Sequence, residues 1–403
     1  MTALTLNAPA IRPDRVQLAA LVGLMFIGSM FVYSATMVGS AVGAAWYEQS
    51  WVRQLVWYFV GTCAGTALCF IDYRVLARWS FLFYWLMMLL LLAVLIPGIG
   101  SMRFGARRWI DLGVFQFQPS EFAKLAFILA QAHFLSRPID ELRHGSTFWK
   151  ALGLMLLPFA LIMKEPDLGS ALVLLPAGFV MMYVAGTPKR FLVRLLAGVG
   201  VLAALFLIDV LFLSPNWQIK LEEYQRRRLM VYFGRDYTAQ AGASSKMKIE
   251  QLRKQQFDDS HNVRQALISV GSGGVTGKGW RQGTQNALGY LPRAVAHNDF
   301  IFSVIAEEKG FVGSVTVLAL YGAVLFTGLR IAGQARDRLG KLLAVGVVTL
   351  FFCHVFINIG MNIRLMPVTG VPLPLLSYGG SSVLGSLIAM GLLQNVCIYR
   401  KAY

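Results

Sequence analysis

Long apolar runs, separated by short polar segments, dominate the pattern of hydrophobic and polar positions along this chain. Most runs are close to the 20 or so residues that a helix needs to cross a hydrocarbon core of about 30 Å. The pattern therefore predicts an all-α polytopic membrane protein with ten transmembrane helices. The predicted spans are Val16–Met37, Val52–Ile71, Ala77–Pro97, Ser120–Leu135, Phe148–Met163, Leu168–Ala185, Phe191–Leu213, Phe311–Ala332, Leu342–Ile363 and Val383–Tyr399.

Composition excludes the other broad classes. Of 403 residues, 56% are hydrophobic and 14% are charged, whereas an ordinary soluble domain carries about 25% charged residues. Four Cys in a chain of this length exclude a disulfide-rich secreted scaffold. A transmembrane barrel would show short alternating segments instead of long unbroken runs. The net charge of +17 does not require a nucleic-acid partner, because membrane proteins concentrate Lys and Arg in their cytoplasmic loops.

The positions of the basic residues predict the orientation of the spans. They concentrate in alternate loops, and the loops richer in Lys and Arg are expected to be cytoplasmic. With an even number of spans, both termini are then cytoplasmic. The basic loop residues are Arg12, Arg15, Arg74, Arg78, Arg137, Arg143, Lys150, Lys189, Arg190, Arg330, Arg336, Arg338, Lys341, Arg400 and Lys401.

The opposite, outer side carries three unusual loops. The segment between the seventh and eighth spans, residues 214–299, is far longer than a connector. We expect its middle, Thr238–His261, to be a mobile helix or disordered. Segments Gly98–Pro119 and Arg364–Ser382 are rich in Gly, Pro and aromatic residues. Because irregular backbone near a membrane must be buried in protein or line a wet cavity, these loops predict an outward-facing cavity.

Two charged groups stand at the start of the fourth span. The first group is Arg107, Arg108 and Trp109. Arg and Trp are common anchors at the membrane interface, and Arg also recognises phosphate, so the sequence favours the two interpretations equally. Glu121 and Lys124 are spaced to pair on one helix face. Charges inside a membrane bundle are costly and usually functional, which favours a functional role for this pair.

Three further motifs lie at the same side. Asp167, between the fifth and sixth spans, is interpreted equally well as a helix cap or as a substrate ligand. The glycine-rich segment Val270–Phe302 could cradle a phosphate, although it does not match a nucleotide P-loop. Asp299 ends that segment, and it could be either an N-cap or a general base at the floor of the cavity. The prolines and glycines of Asn358–Ser382 impose a special backbone.

Together these motifs resemble the SEDS family (shape, elongation, division and sporulation), which polymerises bacterial cell-wall glycan. The resemblance covers nearly the whole chain, residues 1–403, as one integral membrane domain with the loop 214–299 inside it. Segment Asn358–Ser382 fits the family's N-x5-[GTR]-L-x-P…S-Y-G-G-S-S pattern. GKGWRQGTQ and PVTGVPLP look like the rod-shape RodA branch of the family.

The chain departs from the family at the rim of the expected pocket. The essential acid of the family's L-P-E-x-H-x-D-F motif falls on Asp299. Arg293 stands where Glu is usual, two extra residues precede His297, and Asn298 replaces Thr. Glu165 replaces the usual Gln before Pro166.

The resemblance implies a peptidoglycan glycosyltransferase that uses lipid II, a disaccharide-pentapeptide on undecaprenyl pyrophosphate. Asp299 would be the base for the acceptor hydroxyl. Cationic side chains would stabilise the departing pyrophosphate, and the sequence leaves open whether a divalent cation, Mg or Mn, assists. One base and an inverting displacement suffice. The candidate substrate-binding residues are Arg107, Arg108, Trp109, Glu121, Lys124, Asp167, Lys278, Gln285, His297, Ser377 and Tyr378.

The resemblance also implies partners and a location. The location is the bacterial cytoplasmic (inner) membrane, and the partners are a class B penicillin-binding protein transpeptidase and the elongation machinery. Glycines in the eighth and ninth spans predict a partner surface there, because small residues allow close helix approach. They are Gly313, Gly322, Gly328, Gly346 and Gly360. Two alternatives stay open, a lipid II flippase and a non-catalytic scaffold of the elongation machinery.

Overall fold

A computed structural model of the protein describes residues 13–37, 46–103, 106–113, 115–212, 230–234, 261–291 and 296–400. Nearly all of the segment Thr238–His261, for which a mobile helix or disorder was predicted, lies outside these residues. Arg293 lies outside them too.

Helices account for most of the described chain. Those with defined ends are α1 (Arg15–Met37), α2 (Ser50–Leu68), α3 (Tyr73–Arg78), α4 (Ser80–Leu95), α5 (Pro119–Leu135), α6 (Ile139–Leu142), α7 (Gly145–Lys164), α8 (Leu168–Ala185), α9 (Lys189–Phe212), α10 (Thr284–Ala287), α11 (Ile301–Gln334), α12 (Arg338–Asn362) and α13 (Gly380–Tyr399). Residues 261–272 are also helical.

Seven of the described helices are long and apolar enough to cross a membrane: α1, α7, α8, α9, α11, α12 and α13. Helix α4 is apolar but shorter. The predicted multi-pass membrane protein is therefore confirmed, whereas the count of ten spans stays a prediction.

A three-stranded antiparallel sheet corrects the all-α expectation. Its strands β1 (Gly100–Arg103), β2 (Ala106–Asp111) and β3 (Gln116–Phe117) lie in chain order, between α4 and α5. The central strand β2 pairs with both neighbours: Ile110 lies opposite Gly100 of β1 and opposite Phe117 of β3. Strand pairing gives hydrogen-bond partners to backbone N–H and C=O groups that would lack them in an irregular loop.

Burial separates central helices from peripheral ones. In their most apolar stretches, α12 is 78% buried and α13 is 83% buried, whereas α9 is only 6% buried. Helix α12 packs on α5, α8, α11 and α13. The loop joining α12 to α13 is therefore held at the centre of one end of the bundle.

Helix α11 breaks near its start. Gly310 has φ 63° and ψ −155°, which separates a short first helix from the long remainder. A positive φ is readily adopted only by glycine. At the break, the amides of Phe311 and Val312 donate to the carbonyl oxygens of Gly274 and Val275, at 2.9 and 3.1 Å. The glycine-rich loop is thereby docked onto the kink.

Two of the glycines predicted to form a partner surface pack inside the protein, so this part of the prediction is wrong. A Cβ on Gly346 would lie 2.7 Å from Ile128 and 2.8 Å from the sulfur of Met181. A Cβ on Gly328 would lie 2.4 Å from Val348. These glycines let α12 approach α5, α8 and α11 closely. Gly322 meets no neighbour and remains exposed.

Candidate functional site

Asp299 stands in a short turn in which three consecutive carbonyl groups are held by distant parts of the chain. The carbonyl of His297 accepts the amide of Tyr378 at 2.9 Å, and that of Asn298 accepts the Ser377 hydroxyl at 2.6 Å. The Asp299 carbonyl accepts two side-chain amides of α12. These bonds fix the backbone from which the Asp299 carboxylate projects.

Asp299 does not occupy the N-cap position of the following helix. Phe300 occupies the N-cap position of α11, and no side chain caps that end. Asp299 is half-buried, and a Cβ on Gly370 would lie 3.6 Å from its Oδ2. Gly370 has φ 75°, so the loop before α13 presents bare backbone to the carboxylate. The interpretation of Asp299 as the N-cap residue is therefore wrong, because Asp299 lies one residue before that position.

Arg108 crosses from the sheet to the turn between α7 and α8. Its Nε donates to the carbonyl of Glu165 at 3.2 Å, and an Nη2 donates to the carbonyl of Pro166. Its Nη1 lies 3.9 Å from Asp167 Oδ1, which is too long for a direct hydrogen bond. The side chain is 16% exposed. Arg108 thus stabilises the turn and still keeps a nitrogen with bonding capacity.

The interpretation of Asp167 as a helix cap is confirmed. Its carboxylate also connects the start of α8 to Gln118 and to the start of α5. Its Oδ1 accepts the amide of Ser170 at 3.1 Å at the start of α8. Its Oδ2 accepts the Gln118 side chain at 3.2 Å and the Ser120 hydroxyl at 3.3 Å. With its carboxylate so fully engaged, Asp167 is better placed to hold the site together than to bind a ligand directly.

The α7–α8 turn and the loop before α13 are in close contact. A Cβ on Gly169 would lie 2.5 Å from Val371 and 2.9 Å from the carbonyl of Thr369. These residues flank Gly370, which faces Asp299. We call the assembly of Asp299, the loop 369–378, the turn 165–169 and Arg108 the Asp299 cluster. It brings together parts of four of the motifs singled out in the sequence.

Glu165 is an unusual member of the Asp299 cluster. It is fully buried, and neither carboxylate oxygen has a hydrogen-bond partner among the described residues. Burial, and secondarily the Asp167 carboxylate, raises the pKa of Glu165 to about 9, although Arg108 opposes the shift. Its side chain therefore carries a proton at neutral pH, and it then resembles a Gln in size and in having both a donor and an acceptor.

Lys278 and Gln285 belong to a second group, which we call the Glu307 cluster. Glu307 is fully buried. Its Oε1 accepts a hydrogen bond from Lys278 Nζ at 2.6 Å and another from the backbone N–H of Gln285 at 3.0 Å. Lys278 Nζ also donates to Thr284 at 2.7 Å. Since Lys278 is neutralised by a buried carboxylate, its ammonium mainly holds the glycine-rich loop on α11.

Glu121 and Lys124 form the predicted pair, deep inside the bundle. Lys124 Nζ lies 2.7 Å from Glu121 Oε1 and 3.0 Å from His354 Nε2. All three side chains are at least 95% buried. Lys124 donates to both neighbours, so the His354 ring accepts at Nε2. The group therefore lies in the interior of the bundle, away from its surface.

The remaining candidates lie near the same segments. Arg107 and Trp109 are half-buried and pair with Met102 and Ser101 of β1, whereas Arg108 between them is the unpaired residue of a bulge. The rings of His297 and Tyr378 lie 5.4 Å apart, centroid to centroid. Arg107 and Trp109 therefore fit the anchoring interpretation at least as well as substrate binding.

Several side chains that organise the site were missed from the sequence. They are Asn362, Glu307, Glu308 and His354, all within apolar helices. Glu307 and Glu308 are consecutive acidic residues inside an apolar run. The sequence could have indicated a role for them, because charged residues inside a membrane bundle rarely lack one. Among the described residues, no group of three or more His, Cys, Asp and Glu side chains is arranged to hold a metal ion.

Comparison with known proteins agrees with this architecture. The chain is 34% identical over 380 residues to the peptidoglycan glycosyltransferase MrdB of Escherichia coli strain K12, covering 94% of this chain and 93% of that protein. It superposes on a chain solved in a study of how a peptidoglycan synthase complex coordinates polymerization and crosslinking, with a TM-score of 0.74, 30% identity, and coverage of 97% and 99% of the two chains.

The crystal structure of the rod shape determining protein RodA of Thermus thermophilus is a second structural neighbour, with a TM-score of 0.65 and 27% identity over 97% of this chain and 99% of that one. The sequence profile of the FtsW/RodA/SpoVE family, described as cell cycle proteins, matches residues 15–402. Since that match spans almost the whole chain and the relatives are similar along their full length, the protein belongs to the FtsW/RodA/SpoVE family, the SEDS proteins.

Proposed function

We propose that the protein is a peptidoglycan glycosyltransferase that polymerises lipid II during cell elongation, with Asp299 as the general base. The observation that carries the proposal is the attachment of the Asp299 turn. Three consecutive carbonyls are tied to the loop before α13 and to α12, while the carboxylate faces the bare backbone of Gly370. A backbone fixed in this way keeps the Asp299 carboxylate in one position, as a general base requires.

The reaction needs one proton transfer and one displacement. The acceptor 4-hydroxyl attacks the anomeric carbon of the donor sugar as Asp299 takes its proton. The bond between that carbon and the pyrophosphate oxygen breaks, and undecaprenyl pyrophosphate leaves with the electron pair. A single displacement converts the α linkage of the donor into a β linkage, so no glycosyl-enzyme intermediate forms.

Arg108 is the cation best placed to assist the leaving group. It belongs to the same cluster as Asp299, and its Nη1 is held only loosely by Asp167. A guanidinium can bind a pyrophosphate oxygen with this nitrogen while its other nitrogens keep the α7–α8 turn in place. Lys278 and Lys124 are already bonded to buried glutamates, so their effect on the substrate is indirect.

The finer architecture is part of the same proposal. The protein crosses the bacterial inner membrane ten times as one integral domain, with both termini in the cytoplasm. The Asp299 cluster then lies on the outer side, within reach of lipid II. The concentration of Lys and Arg at the opposite helix ends supports this orientation.

The decisive experiment is polymerisation of lipid II by the purified protein in detergent, with glycan products separated by gel electrophoresis. Glycan strands are expected from the wild type and not from Asp299→Asn. The substitution removes the base but keeps a similar side-chain shape, and Asp299 does not cap α11. Asp111→Asn, at an exposed carboxylate on β2, is the matched control and should stay active.

Either of two results would contradict the proposal. Full activity of Asp299→Asn would show that another group takes the proton. A folded wild-type protein that moves lipid II across vesicle membranes but makes no polymer would instead support a flippase.

A class B penicillin-binding protein is the proposed partner, because linear glycan needs crosslinking to become load-bearing wall. The exposed face of α11 around Gly322 is the proposed contact. Gly322 has open space above it, and Phe326 beside it is 68% exposed. A small residue next to a large apolar side chain is a favourable surface for an additional transmembrane helix.

A further inference from the structure

A groove of about 640 Å³ opens at the end of the bundle opposite the Asp299 cluster. It lies between the α8–α9 turn and the adjoining ends of α11 and α12. Its lining combines two basic side chains with an apolar wall and two glycines. The residues used below are Tyr183, Gly186, Lys189, Leu329, Gly333 and Lys341.

The charge in this groove is of one sign. Lys189 and Lys341 are both exposed, and no Asp or Glu lines the groove. Among the described residues, neither ammonium takes part in an ion pair. Lys189 begins α9 and Lys341 lies in the first turn of α12, so the positive ends of two helix dipoles add to the same field. The groove therefore favours an anion.

The remaining wall is apolar and open. Tyr183 is 55% exposed and Leu329 is 56% exposed. A Cβ on Gly333 would meet nothing within 4 Å, and Gly186 ends α8 in a left-handed conformation. An ion such as free phosphate would leave this apolar surface uncovered. A ligand with a phosphate and a hydrocarbon chain would cover both parts.

We propose that this groove binds an anionic glycerophospholipid of the adjacent leaflet, with the headgroup phosphate between Lys189 and Lys341 and an acyl chain along Tyr183 and Leu329. The proposal concerns the opposite end of the bundle from the Asp299 cluster and does not depend on the catalytic assignment. Its location suits a lipid, because the ends of membrane-spanning helices lie at headgroup depth. Long lysine side chains can extend to that depth while their stems cover apolar surface.

The test measures lipid binding by the full-length protein. Purified protein is titrated with phosphatidylglycerol or phosphatidylcholine in detergent, and bound lipids are counted by native mass spectrometry. The wild type should bind phosphatidylglycerol selectively. The double variant K189Q/K341Q should bind it at least about tenfold more weakly, because two charge-assisted contacts to one phosphate are lost.

Two further variants separate the site from bulk charge. K150Q/R78Q removes two exposed positive charges from the same end of the bundle and should bind phosphatidylglycerol like the wild type. Gly333→Phe fills the groove without removing charge and should weaken binding by a similar factor to K189Q/K341Q. Thermal stability in phosphatidylcholine confirms that each variant is folded.

Three outcomes would overturn the proposal. The first is equal loss of binding in K189Q/K341Q and K150Q/R78Q, which would reduce the effect to net charge. The second is unchanged binding in a folded Gly333→Phe variant. The third is displacement of the lipid by millimolar inorganic phosphate, which would identify a simple anion site.

Discussion

At Asp299, the main chain and not side-chain packing determines where the carboxylate lies. The two amides that hold its carbonyl come from Asn358 and Asn362, one turn apart on α12. Since α12 is among the most buried helices, the backbone of the proposed base is attached to a rigid part of the bundle. A carboxylate on a free loop would instead have to be ordered at each catalytic cycle, at an entropic cost.

Glu165 makes stability depend on pH in a direction that can be tested. Its folded-state pKa of about 9 lies above the unfolded value of about 4.3, so the folded protein binds the extra proton between these values. Stability from this group is complete below about pH 4 and is lost as pH rises toward 9. At pH 7, Glu165→Gln should therefore raise the free energy of unfolding by on the order of 3 kcal/mol and unfold at a higher temperature than the wild type. At pH 4, the two proteins should unfold at similar temperatures.

Thermal unfolding in detergent at pH 4, 7 and 9 measures this difference. Glu141→Gln is the control, because Glu141 is exposed on α6 and should show little dependence on pH. A stability difference between Glu165→Gln and the wild type that is constant from pH 4 to 9 would show that Glu165 does not titrate as described.

Arg108 is expected to affect both the fold of the site and the use of lipid II. A lysine cannot contact Glu165, Pro166 and a pyrophosphate oxygen together, because it lacks the guanidinium fork. Arg108→Lys should therefore raise the KM for lipid II or lower kcat by about tenfold or more, corresponding to one charge-assisted bond. Steady-state kinetics and thermal unfolding are measured together.

Arg107→Lys is the matched control, since Arg107 is the adjacent half-buried arginine of β2 and pairs with Met102 of β1. It should retain most of the activity. If Arg108→Lys lowers only the unfolding temperature and leaves both kinetic constants unchanged, Arg108 is purely structural. If Arg107→Lys is equally impaired, the assignment between the two arginines is wrong.

At the scale of elements, the glycine-rich loop and the kinked start of α11 form one unit. The amides of Lys278 and Gly279 donate to the carbonyls of Glu307 and Glu308, each at 3.0 Å. Those carbonyls precede Gly310, where the helix breaks, and the break leaves them without their usual helical partners. The loop supplies the missing donors, so it is a structural complement of α11 and not a free phosphate cradle.

Gly277→Ala should disrupt this unit. A Cβ there would lie 2.3 Å from the Glu308 carbonyl, and Gly277 has φ 81°. We expect destabilisation of roughly 1–3 kcal/mol from strain and lost docking, measured by thermal unfolding. Gly271→Ala is the control, because a Cβ on Gly271 meets nothing within 4 Å and it lies in a helical segment. Wild-type stability of Gly277→Ala would mean that the loop is docked loosely.

At the scale of the whole molecule, burial divides the bundle into a centre that holds the site and a periphery available to lipid and partners. Helices α12 and α13 form the centre, and α9 is almost entirely exposed. Asp299 is held by α12 and the turn 165–169 packs on the loop before α13. Exposed helix faces at the periphery can therefore change without moving the site.

This division predicts opposite effects of two similar substitutions. Gly322→Leu, on the exposed face of α11, should reduce co-purification with the class B penicillin-binding protein while leaving thermal stability near that of the wild type. Gly346→Leu should lower stability by several kcal/mol, because its side chain would collide with Ile128 and Met181. Pull-down and thermal unfolding measure both. Unchanged partner binding by Gly322→Leu would place the interface elsewhere.

The sequence alone was sufficient for the membrane class and most helix positions, because hydropathy and helix length are local properties that the bilayer imposes segment by segment. The family followed from the resemblance of its motifs, above all Asn358–Ser382. The sequence also identified Asp299 as the candidate base and predicted the Glu121–Lys124 pair, which are three residues apart on one helix. Local patterns of this kind do not depend on how the helices pack.

Only the tertiary structure decided which motifs meet. Arg108 reaches Pro166, and Tyr378 holds His297, across long separations in sequence. Lys278 pairs with Glu307 and does not belong to the Asp299 cluster. Gly346 packs inside the bundle, and the segment before α5 forms a three-stranded sheet. These outcomes depend on helix packing and on satisfying backbone groups across the bundle, and neither leaves a periodic signal in a single chain.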